Sequence, residues 1–456
     1  MSDQAHRWTD ERLAELEQRI HRVYGAAAKE LRDELDAYFE TLERRDNEMR
    51  AMLERGSITE QKVIAWRQAQ IGRGKRVEAL MDDLAQRMTQ SDQLAMSYVR
   101  AGQPDVYAVN RNWVAYTIEQ VHGNVGFTLY DERTVRRLLA EDPELFPQPA
   151  VDIPVDERWN RTKLQDALTA GILKGESLSK IAWRMQCVAE MNDTAAIRSA
   201  RTAFTGAQNA GRQASMACAA RMGIDVYKGW VATKDMRTRH SHGAADGQVV
   251  PYNEPFSVGG ARMMYPGDPS GPPQEVYNCR CTMRTVEKPG IEAEPRQMRV
   301  RDPVTGENVL VKGMTYPEWM RWKADLQQQA GAGIIKAKLE AGEITTRLSV
   351  QQYDKHVQGT KQYEQYLAER LAKGNTPQSL LLISRQDAQE ILKERAGTGQ
   401  IKVTRTGEYR TVEYYSLNRV AGQVFENGRY VDTTRVAAHY GKKGAHLVPV
   451  KEVDGE

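Results

Sequence analysis

The sequence predicts a multidomain α+β protein. Its N-terminal and central regions are mainly helical, a small mixed α/β core follows, and a C-terminal α+β domain carries an antiparallel sheet. Three observations carry this reading. Apolar residues recur at three- and four-residue steps through most of the chain before Asp225, as amphipathic helices require. From Asp225 the pattern changes to short β-rich runs separated by Gly, Pro and Asp turns. Beyond residue 350 come an apolar run, a helix stopped by glycines, and alternating runs joined by turns such as Glu426-Asn427-Gly428-Arg429.

The elements follow in order. Leu13, Leu16, Ile20, Val23, Ala27, Leu31, Leu35, Tyr38 and Leu42 share one face of a helix over 9–54, with Asp10 and Glu11 at its positive end and Gly56 as its stop. Ser57 and Glu60 have capping-box spacing for a second helix through Trp66 and Ile71, and a third is expected over 76–96. Residues 103–160 read as mixed, with Pro147, Pro149 and Pro154 marking a linker or surface loop. Helix returns from Trp159. An Ala-rich helix then starts at an Asp193 or Thr194 cap and stops at Gly223, its small residues open to close approach by another backbone. Cys187 and Cys218 sit inside these helical patterns as core fillers. Tyr227–Thr233 and Cys281–Lys288 read as strands, and Ala245-Asp246-Gly247 as a turn. Residues 287–310 read as a linker, and a helical stretch from Thr315 is broken at Gly331 and Gly333.

Composition narrows the function classes. The chain has 456 residues, which suits two to four domains, and 40% hydrophobic residues, enough for real cores. A net charge of +3 sets up no global field for nucleic acid or membrane. No apolar run approaches a membrane span, and the first residues lack a basic-then-apolar leader, so no membrane partner is expected and folding is expected in the cytoplasm. Four cysteines in so long a chain do not make a disulfide scaffold.

Two of those cysteines end a Pro/Gly-rich loop, Tyr265–Cys281, as Cys279-Arg280-Cys281. Thiolate and imidazole are preferred zinc ligands, usually four in a tetrahedron. Cys279 and Cys281 could supply two, with His242 and either Asp235 or His240 completing the set. The bland alternative pairs Asp235 with Arg239, lets the histidines cap turns and buries the thiols. No cofactor is expected otherwise; zinc is the exception these residues admit.

The stretch Gly229–Val250, followed by the Tyr265-Pro266-Gly267-Asp268 loop and Cys-Arg-Cys, resembles the signature of the phage Mu-type minor head protein family. The resemblance preserves the order Trp230, Asp235-x-Arg237-x-Arg239, His242, Asp246-Gly247. Residues Ala200–Arg212, "ARTAFTGAQNAGR", resemble that family's Ala-rich helix, with Ala203 where the family commonly has Glu. The resemblance covers about 150–285 and implies a structural role in head morphogenesis. It further implies a place in the virion, inside the capsid near the portal, with portal and other capsid proteins as partners.

Three of the eight histidines, His356, His439 and His446, fall beyond residue 350. Lys442 and Lys443 lie between the last two, and Lys/Arg outnumber Asp/Glu ten to four from Arg395 to Lys451. Two histidines with a nearby lysine can cleave RNA without metal: one takes the 2′-hydroxyl proton, the other protonates the leaving oxygen, and the lysine stabilises the phosphorane. The alternatives are a solvated basic turn, or a domain that holds packaged DNA by its phosphates alone. The pieces His356-x-x-Gly359-Thr360, Gly397-Thr398-Gly399 and His439-Tyr-x-Lys-Lys-Gly-x-His446 resemble the polymorphic toxin type 50 domain, related to the barnase/EndoU/colicin/RelE-like nucleases. That resemblance implies a catalytic set of His356, His439, Lys442 and His446, a metal-independent endoribonuclease activity and a host RNA substrate. Gly441 and Ala445 stand where the family often has Ser and Thr.

The expected organisation is therefore a helical N-terminal region over 1–150, a minor-head-type core over 151–286, a linker and helix over 287–349, and a nuclease-like domain over 350–456. The leading function is that of a phage minor capsid protein. A virion-delivered ribonuclease and an internal DNA-binding head protein are its rivals.

Overall fold

The computed structural model describes residues 3–286, 298–301, 308–311, 314–404, 409–426 and 428–451. Along the chain run α1 (Gln4–Glu54), α2 (Glu60–Gln70), α3 (Lys75–His122), α4 (Glu132–Glu141), α5 (Ile153–Leu173) and α6 (Leu178–Arg221). Then come β1 (Tyr227–Val231), α7 (His240–Ala245), β2 (Val249–Pro251), β3 (Phe256–Val258), β4 (Ala261–Met263), α8 (Pro273–Val276) and β5 (Thr282–Val286). A hairpin of β6 (Met298–Arg301) and β7 (Asn308–Val311) precedes α9 (Tyr316–Glu340) and the one-turn helix α10 (Val350–Tyr353). The last segment holds α11 (Lys361–Ala372), β8 (Leu380–Leu381), α12 (Arg385–Arg395), β9 (Gln400–Val403), β10 (Tyr409–Ser416), β11 (Gly422–Glu426), β12 (Arg429–Thr433), β13 (Arg435–Gly441) and β14 (Gly444–Pro449). The chain groups into two compact units, Met1–Val114 with Asp142–Glu292, and Ala115–Glu141 with Ala293–Glu456. No helix among the described residues is long and apolar enough to cross a membrane.

In the first unit, long helices bury one apolar stripe each. Leu31, Leu35 and Phe39 of α1 meet Leu84 and Met88 of α3, Leu164 and Leu168 of α5, and Ile181 and Met185 of α6 in a single core. Burying each such side chain stabilises the fold by about 1.5–3 kcal/mol. On α1 the buried face passes through Tyr24 and Ala28 rather than the expected Val23 and Ala27. Thr59, not Ser57, caps α2, its hydroxyl accepting from the Lys62 amide. The helix expected to end near residue 96 continues to His122 with Pro104 inside it, because Val106, Tyr107, Val114 and Ala115 extend the apolar stripe and packing outweighs the lost amide. The loop expected around the prolines is found at 142–152; Pro154 lies in the first turn of α5, where a missing N–H costs nothing.

One expected boundary is absent. Helix α6 starts at a Ser177 cap and runs through Asp193 without interruption. The Asp193 carboxylate meets His21 of α1 at 2.6 Å instead of capping a new helix. Gly223, at φ +83°, follows the end of α6 as expected. The small residues of α6 do admit another backbone: a β-carbon on Gly211 would sit 2.4 Å from the Tyr107 carbonyl oxygen of α3.

The rest of this unit packs on α6. Strands β2, β1 and β5 form an antiparallel sheet in that order, with Tyr227 opposite both Pro251 and Val286. Helix α7 intervenes where only turns were expected.

In the second unit, β14-β13-β10-β9 and β12-β11-β8 form two antiparallel sheets. Val436, Ala438, Tyr440, Ala445 and Leu447 point into a core shared with Ile335 of α9 and Leu392 of α12. Helix α9 is not broken at its glycines, and Gly331 is where Ile401 packs, 2.8 Å from the position of a β-carbon. The region expected to be a linker contains the β6–β7 hairpin, with residues 287–297 outside the described ones. Residues 115–141 belong here: the Tyr130 hydroxyl donates to the Thr404 carbonyl at 2.8 Å, Lys402 pairs with Glu141 at 2.5 Å, and the buried Glu119 carboxylate holds Lys323 at 2.7 Å and the Trp319 indole N–H at 2.8 Å.

Two substitutions test these packing statements. Gly211→Ala should lower the unfolding free energy of the first unit by about 1–3 kcal/mol through overpacking against α3. Leu168→Ala should lower it by about 2–5 kcal/mol through the cavity it leaves. Urea titration followed by far-ultraviolet circular dichroism measures both.

Candidate functional sites

The first candidate site hangs from a polar stripe on α6. Thr205, Gln208, Asn209 and Arg212 recur at helical spacing and are all buried. The Thr205 hydroxyl donates to the Cys279 carbonyl at 2.6 Å. The Asn209 amide donates to the carbonyls of Pro266 (3.0 Å) and Cys281 (3.2 Å), and its oxygen accepts from the Met283 amide at 3.2 Å. Arg212 donates to the Met283 carbonyl at 2.8 Å and forks onto Asp3 at 2.6 and 2.8 Å. These bonds fix the path of the Tyr265–Cys281 loop. Within it, Asp268 accepts from the amides of Met264 (2.6 Å) and Ser270 (2.9 Å), and Asn278 takes the left-handed conformation, φ 57°, that Asn tolerates better than most residues.

That path brings the two thiols to His242 of α7. The imidazole Nδ1 lies 3.3 Å from Cys281 Sγ and 3.6 Å from Cys279 Sγ. Its Nε2 lies 3.0 Å from a Glu275 oxygen, and Glu275 also accepts from the Ser241 hydroxyl at 2.7 Å. Trp230 stands edge-on to the His242 ring, centroids 5.5 Å apart. All three potential ligands are buried, at 1% for Cys279, 3% for Cys281 and 2% for His242. The hydrogen bond from Cys279 pulls the Cys281 thiol down to about 5 against the effect of burial, with His242 adding to the pull, while Cys279 is pushed well above the ordinary thiol range.

Asp235 is not part of this cluster, which corrects the expected ligand set. Its carboxylate forks onto Arg280 at 2.5 and 2.8 Å, at the surface. The Arg280 hydrogen bonds hold that carboxyl below the usual carboxylate range. The expected Asp235–Arg239 pair does not form either; Arg239 donates to the Tyr277 carbonyl. His240 is exposed.

The second candidate site is a cleft of about 330 Å³ in the second unit. Strands β13 and β14 form a hairpin in which His439 pairs directly with His446 and Gly441 with Gly444. Their rings stack at 5.1 Å between centroids, 19° from parallel. Gly444, at φ +157°, leaves no room for a side chain, since a β-carbon would meet that of Ser349 at 2.8 Å. His356 lines the same cleft, its Nδ1 2.9 Å from the Ser379 carbonyl oxygen. Lys442 does not line it: it stands exposed at the two-residue turn, which corrects its expected place.

The cations that do line the cleft are Lys355 and Arg370, which sequence reasoning missed. Both lie over the Tyr366 ring, at 5.1 and 5.7 Å from its centroid. The one available signal was the four-residue step from Tyr366 to Arg370, which places them on one face of α11. The period of two also settles what Ala445 does. It faces the core, away from the cleft that His446 lines, and is fully buried, so a hydroxyl there would not reach the cleft.

Burial is the main cause that lowers His439 and His446 to about 4, with Lys402 and His356 adding to it for the first, and His439, His356 and Lys355 for the second. Burial lowers His356 as well.

Residues 162–284 match the family described as phage Mu protein F like protein, and residues 348–449 match the family described as bacterial toxin 50. The chain thus combines a Mu F-like head-protein domain, which contains the thiol–imidazole cluster, with a toxin 50 domain that contains the histidine cleft. Among individual proteins, it is similar to the minor head protein GP7 of Bacillus phage SPP1, 25% identical over 327 residues, covering 70% of this chain and 97% of that one. It is also similar to the NAD(+)–arginine ADP-ribosyltransferase EFV of Enterococcus faecalis (strain ATCC 700802 / V583), 34% identical over 130 residues, 28% of this chain and 26% of that one. No solved structure matches.

The lowered histidines make the second unit acid-sensitive. An unfolded chain takes up these protons near the ordinary value of 6.5, and the folded chain only near 4. Between those values the unfolded state binds more protons, so stability falls as pH drops from about 6.5 to about 4. Hydrogen-exchange protection factors at 435–449, corrected for the pH dependence of the intrinsic rate, should therefore fall over that window, and a His439→Gln/His446→Gln variant should flatten the dependence.

Proposed function

We propose that this chain is a minor head protein acting in phage head morphogenesis. The observation that carries the reading is the alignment with GP7 over 97% of that protein, together with the Mu F-like domain at 162–284. On this reading the chain resides in the virion, inside the capsid near the portal, with portal and capsid proteins as partners. The match to the ADP-ribosyltransferase spans only 26% of that protein, and its named activity is not carried over. The test is composition and assembly. Purified heads should contain the chain by mass spectrometry and tails should lack it, and deleting its gene should reduce the yield of filled heads. Normal heads without it would refute the reading.

For the toxin 50 domain we propose metal-independent cleavage of single-stranded RNA. The stacked His439–His446 pair supports it. One neutral imidazole takes the 2′-hydroxyl proton as O2′ attacks phosphorus. The P–O5′ bond breaks, and the second histidine, protonated, gives its proton to O5′. The products are a 2′,3′-cyclic phosphate and a 5′-hydroxyl. Lys355 and Arg370 face the cleft and stabilise the phosphorane charge, the role expected of Lys442 from sequence. Tyr366, held under both cations, offers a stacking face for a base.

With both histidines near 4 in the free protein, the acid form is scarce at neutrality. Bound phosphate raises both values. The optimum for kcat/KM should therefore lie on the acid side, and the optimum for kcat closer to neutrality. The full-length chain should cleave RNA in EDTA, and His439→Ala or His446→Ala should cost roughly 10²–10⁴ in rate. Lys442→Ala should leave the rate within about twofold, and Arg370→Ala should raise KM and lower kcat. RNA or DNA retention without cleavage, with strong salt dependence, would leave a binding domain only.

A further inference from the structure

We infer that His242 Nδ1, Cys279 Sγ and Cys281 Sγ form a three-ligand site for a thiophilic divalent ion, zinc in the cell, with Glu275 positioning the imidazole. All three ligand atoms lie within 4.8 Å of one another. Zinc binds thiolate sulfur at about 2.3 Å and imidazole nitrogen at about 2.0–2.1 Å, so a tetrahedral N···S edge is roughly 3.6 Å. The two N···S distances here are 3.3 and 3.6 Å. A soft pair of sulfurs with one imidazole selects zinc over hard oxygen-seeking ions.

The surroundings match what a metal-bound histidine requires. When Nδ1 binds a metal, the proton must sit on Nε2 and needs an acceptor, commonly a carboxylate. Nε2 is buried without a well-aligned hydrogen bond, yet lies 3.0 Å from a Glu275 oxygen. Ser241 anchors the same carboxylate oxygen at 2.7 Å. Asp235 is committed to Arg280 and supplies no fourth ligand. The order thiol, imidazole, carboxylate is also that of a nucleophilic relay. A nucleophile must meet its substrate, however, and Cys281 is 3% exposed. The second thiol at 3.6 Å has no role in such a relay, whereas a metal uses both.

Such an ion would tie α7 to the entrance of β5. That junction is also held by hydrogen bonds to α6, by the Arg239–Tyr277 contact, by the Asp235–Arg280 pair and by the Ser241–Glu275 bond. Ion binding would therefore contribute directly to folding of the Mu F-like domain.

The experiment uses the full-length chain produced with added zinc. Elemental analysis should give about one equivalent of zinc. Replacement by cobalt should give thiolate-to-cobalt charge-transfer bands. Cys281→Ser should abolish both signals, and Asp235→Asn should leave both unchanged. Glu275→Gln should keep the fold and weaken zinc affinity roughly 10–100-fold in chelator competition. Should Cys281→Ser fail to fold, the wild-type cobalt spectrum and the Glu275→Gln affinity decide. Folded wild-type protein with less than about a tenth of an equivalent of metal and no cobalt bands would overturn the proposal, as would a Cys279–Cys281 disulfide in protein purified without oxidant. None of these readouts involves RNA cleavage or head assembly, so they stand or fall apart from the functions proposed above.

Discussion

The first unit depends on the buried polar stripe of α6. Asn209 is fully buried and bonds to three main-chain groups from two places in the following segment, Pro266 on one side and Cys281 and Met283 on the other. A buried carbonyl or amide left without a partner costs about 1–3 kcal/mol, so replacing Asn209 by an apolar residue of like size would strand several at once. Arg212 extends the same logic to the N-terminus. Its guanidinium bonds to Met283, Asn110 and Asp3, and Asp3 is also the cap of α1. One helix therefore sets the path of the loop, the edge of the sheet and the start of the longest helix. The thiol–imidazole cluster exists because those main-chain bonds deliver Cys279 and Cys281 to the same point.

How much of this was legible in the sequence depends on whether the signal was local. The apolar face of α1 could be read because period and burial agree at Leu16, Ile20, Leu31, Leu35 and Tyr38, with the register shifted by one residue at Tyr24 and Ala28. Helix α3 runs past its expected end near residue 96, through Pro104, because the partners that hold its second half come from distant segments. Asp193 looked like a cap because carboxylates suit that position, but His21 lies 172 residues away and no spacing points to it. The β6–β7 hairpin carries charge and Pro nearby, which read as a linker.

The sites divide the same way. The histidine pair was visible because a hairpin has period two: a turn of Lys442 and Lys443 between Gly441 and Gly444 puts His439 opposite His446. Tyr366 and Arg370 reach the cleft from α11, far from the hairpin, and Lys355 enters it beside His356; nothing in their spacing from His439 and His446 points to the cleft. Cys279, Cys281 and His242 could be suspected from residue type, whereas Glu275 could not, since only its distance to Nε2 reveals it. Asp235 misled for the opposite reason. It has the chemistry of a ligand, but Arg280, one residue from each thiol, takes it first.

The two units are interleaved along the chain, and this has a consequence for synthesis. Residues 115–141 leave the ribosome early, but the Thr404 carbonyl that Tyr130 bonds to is 274 residues later. At roughly 5–20 residues per second, that partner arrives roughly 14–55 seconds afterwards. Until then α4 and its flanking segment cannot complete their packing, although most of the first unit is already made. The histidine cleft closes last of all, because β13 and β14 are among the final residues translated. A truncated or stalled product therefore has most of the first unit and no assembled cleft.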